Sequence, residues 1–534
     1  MLRVQRDGLA PSLALVLLLV GALVIRVLPV GSYFPYSYYV DEGHLIGRAA
    51  RMLQSGDTDP HWFAWPTFLI YLHAAVFWLA TVLAAPLLER GDCAGLESFY
   101  WPAAGGQLYN VICPADMLIV GRIVTALFGA GTILLVFLLV RRLNDVAAAL
   151  SAAAILAFLP GHVEFSRNVT GDVPMTFFAV AALRCSILIL EGGGRRDHIW
   201  AGVFVGLAVA SKYTAGLLLL LPATALILRG RLTWGEVRRY LWVPLVAGGL
   251  FFVLDPYHLL QPATAYKTFL SEITYYQQDR FASLATRNPH EWLDNFLAAD
   301  RVGAAVVAAA LVGLGLAWWR GERRLLVPVP FVVAFSIPLV AAPMQPFRNF
   351  LPVVAMLAIW AGYGIAASAS LALTPRLLRW TPLLVVLLTG ACLAPSVGAL
   401  LRQTRDALQV VNSRRQVIDW LIEHPQGGNA IVIDAKLQLH PSELRRLSAQ
   451  GARFRVMLTQ PKPTAPPTWY VAARLEGCRP GLADECAARD RFLDGLDSIA
   501  TFGAGRVPNQ LDSWVGKEPR IGVYLLGGAA AAGR

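Results

Sequence analysis

"PSLALVLLLVGALVIRVLPVGSYFPYSYYVDEGH", residues 11–44, runs from a bilayer-length apolar segment straight into two adjacent carboxylates, Asp41 and Glu42. A hydrocarbon core about 30 Å thick takes about 20 apolar residues as helix, and Pro11 to Val30 supplies them. Arg3 and Arg6 precede the run as they would in a signal peptide. No small-residue cleavage site follows it and many more apolar runs do, so it reads as a retained first membrane helix. The whole chain agrees: of 534 residues 56% are hydrophobic and 15% charged, and the mean hydropathy is +0.52, too apolar for a soluble protein of this size. The net charge of +11 is not gathered into one aromatic-laced basic patch, which argues against nucleic acid as a partner.

Apolar runs recur at 11–30, 117–140, 146–160, 174–190, 198–210, 213–228, 240–254, 299–318, 325–341, 349–370 and 381–399, an expectation of eleven crossings. The arginine clusters test that count. Arg3/Arg6, Arg141/Arg142, Arg195/Arg196, Arg229 to Arg239, Arg320/Arg323/Arg324 and Arg376/Arg379 all fall on one side, which the positive-inside bias makes cytoplasmic. Counting Pro66 to Leu88 as a crossing would invert that pattern, so it is expected to be an interfacial or re-entrant helix within a first outer loop, 31–116. Cys93 with Cys113, and Cys478 with Cys486, are locally spaced pairs that this topology places outside, where a disulfide survives; Cys185 and Cys392 lie within apolar runs as packing residues.

The short runs 198–210 and 213–228 meet at Ser211-Lys212-Tyr213. Such a joint fits a cavity opening partway into the membrane, or a lysine that merely snorkels to the interface. Beyond Leu400 the composition changes. A helix over Arg414 to Glu423, strands at 430–434, 453–459 and 521–526, and a proline-rich linker at 461–467 predict a small α/β domain over 401–534, on the outer side, ending in a flexible tail. No phosphate-binding glycine loop, HExxH, nucleophile elbow or CxxC pattern occurs.

The topology gathers ionisable residues on the outer face: Asp41, Glu42, His44, Arg48 and Arg51; His162, Glu164, Arg167 and Asp172; Lys212; Asp255, Tyr257, His258, Lys267, Tyr275, Tyr276 and Arg280; Arg348 and Asn349. Ionisable groups at membrane depth are costly and are functional by default. Asp41 or Asp172 can take a proton from an attacking hydroxyl, and Lys212 and Arg348 can hold a phosphate. Together they fit group transfer from a lipid phosphate. The bland alternatives are an Asp-Glu start to a helix over Gly43 to Gln54, packed or interfacial His44, His61 and His73, and snorkelling Arg26 and Arg122.

The series "YYVDEGHLIGRAARMLQSGDTDPHWFAWPTFLIYL", "FSRNVTGDVPMTFFAVAAL", "GLAVASKYTAGLLLLLP", "DPYHLLQP" and "FRNFLPVVAMLAIWAGYGI" resembles the GT-C fold glycosyltransferases of the protein O-mannosyltransferase and aminoarabinose transferase type, across roughly residues 10 to 400. The resemblance implies an all-α polytopic membrane protein, Asp41 with Glu42 beside it as catalytic acidic residues, Asp172 supporting the acceptor or sugar site, and Lys212 and Arg348 at the lipid-linked phosphate. It also implies a polyprenyl-phosphate sugar donor, an inverting displacement and no nucleotide sugar. Many relatives carry Lys-Pro-Pro where this chain has Ala64-Trp65-Pro66-Thr67, which leaves a phosphate contact to other residues; Arg48 and Arg51 are candidates by helical spacing, with Asp41, His44 and Arg48 on one face. His44, Arg48, Tyr257 and Tyr276 complete the expected substrate-binding set.

The expectation is therefore an inner-membrane glycosyltransferase of two parts, 1–400 and 401–534. No cofactor is expected; two carboxylates could bind a divalent cation, but no dedicated ligand cluster is apparent. The acceptor is a glycan, glycolipid or protein. A lipid-linked sugar flippase, or a cell-envelope scaffold built on the outer domain, are the rival readings.

Overall fold

The structure is a computed structural model that describes residues 9–37, 40–83, 115–230, 232–277, 290–342, 345–409, 412–424, 431–434, 437, 439–457, 468–474, 488, 491–503 and 520–526. Cys93, Cys113, Cys478, Cys486, Arg280, the linker 461–467 and the tail 527–533 lie outside these residues, as do the side chains of Tyr275 and Tyr276. Cys185 and Cys392 are free thiols.

Helices dominate. The first part contains α1 (Leu9–Val27), α2 (Val40–Ser55), α3 (Phe68–Leu83), α4 (Asp116–Leu143), α5 (Val146–Phe158), α6 (Pro160–Ser166), α7 (Asp172–Leu190), α8 (Arg195–Ser211) and α9 (Leu220–Arg229). There follow α10 (Trp234–Tyr240), α11 (Trp242–Leu254), α12 (Tyr257–Leu260), α13 (Pro262–Gln277), α14 (Glu291–Leu297), α15 (Ala304–Trp319), α16 (Arg323–Leu326), α17 (Val329–Ala341), α18 (Leu351–Ala372) and α19 (Thr381–Gln409). Among the described residues six helices are long and apolar enough to cross a membrane, seven if α5 and α6, bent by 62°, are one span. Four shorter apolar helices accompany them: Pro11–Val27, Phe68–Leu83, Tyr213–Arg229 and Ala304–Trp319. The apolar runs thus mark helices, but several are shorter than a bilayer, because polar joints interrupt them.

The chain is a polytopic membrane protein built around α18. This helix is almost wholly buried, enclosed by α15, α5, α7 and α19. Lipid tails are as apolar as leucine, so helices gain by close backbone approach rather than by burial alone. Gly313 of α15 and Gly364 of α18 supply that approach: a Cβ on Gly313 would overlap the carbonyl oxygen of Trp360, and one on Gly364 the carbonyl of Ala309. Rows of exposed apolar side chains, Leu13, Leu17, Val20 and Val24 on α1 and Leu383, Val386 and Leu387 on α19, face outward as a lipid-facing surface must.

Two arginines read as snorkelling are instead buried. Arg26 donates to the carbonyls of Ala22 and Ala157 and meets His162 Nδ1 at 2.9 Å; Arg122 pairs with Glu42. Partners inside the bundle, invisible in a single run, replace water for both guanidinium groups.

After α19 come α20 (Ser413–Glu423), β1 (Ile431–Asp434), α21 (Pro441–Ala449), β2 (Phe454–Met457), β3 (Thr468–Arg474), β4 (Asp497–Phe502) and β5 (Arg520–Leu526). They form a sheet of order β2-β1-β3-β5-β4, parallel across β2, β1 and β3 and antiparallel beyond. β3 and β4 are strands that the apolar runs did not reveal. Period-2 alternation divides the core: Ile431, Ile433, Val471 and Val523 pack with Val417 and Leu421 of α20, whereas Val432, Tyr470 and Tyr524 face Leu493. This layer grips the turn ahead of α2, where the buried Tyr36 hydroxyl accepts from the His440 N–H at 3.0 Å and the Arg414 guanidinium lies 5.0 Å from its ring.

Replacing Gly313 by leucine should break the α15–α18 contact at a cost of about 1–3 kcal/mol, measured as a lower unfolding temperature in detergent. The same change at Gly315, which has open space beside it, should leave that temperature nearly unaltered.

Candidate active site

Asp41 and Glu42 occupy the first turn of α2, where carboxylates suit the positive end of the helix dipole. The helix therefore starts three residues earlier than Gly43, with both carboxylates inside its first turn. Their environments differ. Glu42 is fully buried and bidentate to Arg122, Oε1 to Nε at 2.7 Å and Oε2 to Nη2 at 2.9 Å, and it also accepts from the Val169 N–H at 3.2 Å. Arg122 completes its shell on the Val30 and Ser32 carbonyls, each at 2.8 Å.

Asp41 instead lines a narrow cavity of about 20 Å³ with Trp65, Pro66, Gly171, Asp172, Lys212 and Arg348, room for about one water. Asp172 opens α7. Lys212 sits at a break: α8 ends at Ser211, Lys212 is extended, and Tyr213–Leu219 continues as a 3-10 helix. Arg348 lies in the 3-10 turn Phe347–Phe350 that leads into α18. The contacts interlock. Lys212 Nζ donates to Asp172 Oδ1 at 2.5 Å and to Asn349 Oδ1 at 2.7 Å, while Arg348 reaches Asp41 Oδ1 at 3.5 Å and Asp172 Oδ2 at 3.9 Å. Burial raises the Asp41 carboxyl above its ordinary value, and the Arg348 charge opposes that rise.

Arg348 is placed from behind by Phe347. That ring occupies the space that a Cβ on Gly161 would need, and the Gly161 N–H donates to the Arg301 carbonyl at 3.0 Å. Arg301 in turn pairs with Glu164 at 2.5 Å and lies 5.6 Å from the Phe347 ring.

The other expected residues are distributed around this cavity. Arg48 Nη1 meets His44 Nδ1 at 3.0 Å, and both lie against Trp62; burial, reinforced by the Arg48 charge, lowers His44 to about 3 and keeps it neutral. Tyr257 is further out, its hydroxyl 2.9 Å from that of Thr58. Glu272, the single acidic residue of α13, went unremarked in the sequence; burial raises its carboxyl above the ordinary value, and Trp65 and the Lys212 charge oppose that rise. Among the described residues no group of three or more His, Cys, Asp or Glu side chains is arranged to hold a metal ion.

Asp255 braces the turn that brings Trp65 and Pro66 to the cavity. Fully buried at the end of α11, its Oδ1 accepts from both the N–H and the hydroxyl of Thr67, capping α3 from another part of the chain, directly after Trp65 and Pro66. Nearby, the Tyr213 hydroxyl bridges the His258 ring at 2.7 Å and the Phe63 carbonyl at 2.9 Å. The segment from Asp255 to His258 therefore holds both the residue after Lys212 and the turn that carries Trp65.

Residues 115–255 match the family described as dolichyl-phosphate-mannose-protein mannosyltransferase. ArnT from Cupriavidus metallidurans in the apo state is similar in structure over 97% of this chain and 98% of its own, with 14% identity and a TM-score of 0.55. The same protein bound to undecaprenyl phosphate gives 96% and 98%, 15% identity and 0.54. The Archaeoglobus fulgidus oligosaccharyltransferase in complex with zinc and sulfate gives 84% of this chain, 15% identity and 0.50; the chain spans 62% of its length. A search of curated protein sequences finds no match. The fold is GT-C, as the sequence motifs imply.

Asp255 generates a prediction. Burial raises its carboxyl from 3.8 to about 6 against the pull of the Thr67 bonds. Between those values the folded chain holds a proton that the unfolded chain has released, so this contribution to stability is full below about 3.8 and lost as pH rises through about 6. Asp255→Asn keeps the acceptor without the charge and should remove that decline from the pH profile of the unfolding temperature. Asp255→Ala, which strands the Thr67 donors, should cost about 1–3 kcal/mol at every pH.

Proposed function

We propose that the chain is a membrane glycosyltransferase that moves a sugar from a polyprenyl phosphate to an acceptor hydroxyl at the outer face of the cytoplasmic membrane, with inversion at the anomeric carbon. The observation that carries this reading is the pairing of two carboxylates with two cations in one cavity, Asp41 with Arg348 and Asp172 with Lys212. A displacement at a sugar carbon needs a base on one side and charge stabilisation on the other. Few arrangements supply both in so small a volume.

Asp41 takes the proton of the acceptor hydroxyl as its oxygen bonds to the anomeric carbon, and the bond from that carbon to the phosphate oxygen breaks. The polyprenyl phosphate leaves with the electron pair, and Arg348 and Lys212 hold the charge it gains. Asp172 keeps Lys212 in place. Glu42 has a different part from the one its position implies: its carboxylate is committed to Arg122, so it anchors α2 and leaves proton transfer to Asp41.

The pairing also links the two substrates: Arg348 lies against Asp41 and Lys212 against Asp172. A bound phosphate competes for Arg348, and Asp41, losing part of its counter-charge, becomes a stronger base. Donor binding thus prepares acceptor activation.

In this reading the eleven runs cross the bilayer, with the N-terminus cytoplasmic. The cavity, the first outer loop over 31–116 and the α/β layer of 401–534 lie on the outer side. The partners are the lipid-linked donor, a hydroxylated acceptor and the bilayer; a resident cofactor has no part in the displacement.

Asp41→Asn should lower transfer by about 10²- to 10⁴-fold, the usual worth of a general base, while leaving protein yield and donor binding near normal. The assay is transfer and hydrolysis of radiolabelled polyprenyl-phosphate sugars by purified protein in nanodiscs. An Asp41→Asn variant as active as the wild type would sink the assignment.

A further inference from the structure

The turn between α1 and α2 is built of local backbone bonds, from the N–H of Val30, Ser32, Phe34 and Tyr36 to the carbonyls of Val27, Pro29, Gly31 and Tyr33. Tyr33 stands at φ 63°, in the left-handed region that bulky residues avoid. A side-chain-bearing residue stays there only where its surroundings over-determine the backbone. Those surroundings are the last turns of α19 and the α/β layer that follows it in the chain.

The turn is gripped from outside. The Tyr36 hydroxyl accepts from the His440 N–H at 3.0 Å, and the His440 ring meets the Tyr36 ring edge-on at 6.3 Å and 85°. Arg414, 5.0 Å from the same Tyr36 ring, is itself tied to the layer, its Nε donating to the Leu437 carbonyl at 2.7 Å. The Ser32 hydroxyl donates to the Ala407 carbonyl of α19 at 2.7 Å. On its other side Ser32 offers its carbonyl to Arg122, the partner of Glu42. Two routes therefore lead inward to Asp41: the five-residue step along the chain from Tyr36, and the line from Ser32 through Arg122 to Glu42. Lys212 and Arg348 lie on neither route, since they stand at the break after α8 and in the turn before α18.

Resting on the transferase reading above, we propose that the outer α/β layer is a clamp on the turn ahead of α2, with Tyr36 and Ser32 as positioning residues that set where Asp41 stands relative to the donor. A displacement of about 1 Å at a reacting group can cost about 10²-fold in rate, while the cations that hold the phosphate keep their places. A layer that merely stabilises the bundle would lose folded protein when loosened, with no preference for the proton-transfer step.

The test is a double-mutant cycle on the full-length protein in nanodiscs, read as turnover of a radiolabelled polyprenyl-phosphate sugar with water as the acceptor. Tyr36→Phe keeps the ring beside Arg414 and removes the hydroxyl. It should lower kcat about tenfold and move the donor KM less than about twofold; Ser32→Ala should act in the same direction. In the Asp41→Asn background Tyr36→Phe should change the residual rate less than about twofold, because the group it positions is already gone. Ile499→Ala, exposed on β4 of the same layer, should match the wild type. Hydrogen exchange over the turn and α2 reads the clamp without turnover and should quicken in Tyr36→Phe, while exchange over α18 stays as it was. A wild-type kcat in Tyr36→Phe, or an equal loss with and without the Asp41 carboxylate, overturns the clamp. If the wild type turns over no donor, quickened exchange in Tyr36→Phe keeps the clamp on α2 and counts against the transferase reading alone; unchanged exchange counts against the clamp.

Discussion

A bidentate ion pair, Arg122 with Glu42, buried on both sides, decides where α2 begins and which way it points. Taking two charges out of water costs several kcal/mol per ion, and the attraction repays that only when the remaining hydrogen-bonding capacity is also met. Here it is met by the carbonyls of Val30 and Ser32 and by the N–H of Val169. The pair thus ties four stretches together: α4, the end of the first helix region, the start of α2 and the turn ahead of α7. Asp41 and Asp172 stand at the two ends of that tie. Loss of either partner would leave an uncompensated buried charge, so the position of Asp41 at the cavity follows from the ion pair beside it.

The cations arrive by a different device. Lys212 and Arg348 each occur where regular helix gives way, at an extended residue and in a 3-10 turn. Irregular backbone at membrane depth is tolerated only where protein or a cavity satisfies its polar groups. The break at Lys212 is covered by α7 and by the Asp255–His258 segment; the turn at Arg348 is covered by α6 and Arg301 through Phe347. Such breaks aim side chains into the cavity as a continuous helix could not. They also explain why several apolar runs are shorter than a bilayer.

Much of this was legible in the chain itself. The apolar runs located the helices, and the common face expected for Asp41, Asp172, Lys212 and Arg348 agrees with their meeting in one cavity. Arg26 and Arg122 differ from their snorkelling reading because a lone arginine near a helix end looks the same whether it snorkels or meets a buried partner 80 or more residues away. Glu272 carried no signal beyond being the single acid of α13. The strands β3 and β4 were missed since their apolar content is ordinary and their pairing with β5 is what makes them strands.

The sequence by itself determined the membrane class, the fold family and the set of ionisable residues from which a site is drawn, because hydropathy and charge act locally and are read one segment at a time. Tertiary structure alone decided which of two adjacent carboxylates lines the cavity. Asp41 and Glu42 are chemically near-identical and share a helical turn. They part only because Arg122 lies on one side and a cavity with Arg348 on the other, and those neighbours come from distant stretches that only folding brings together.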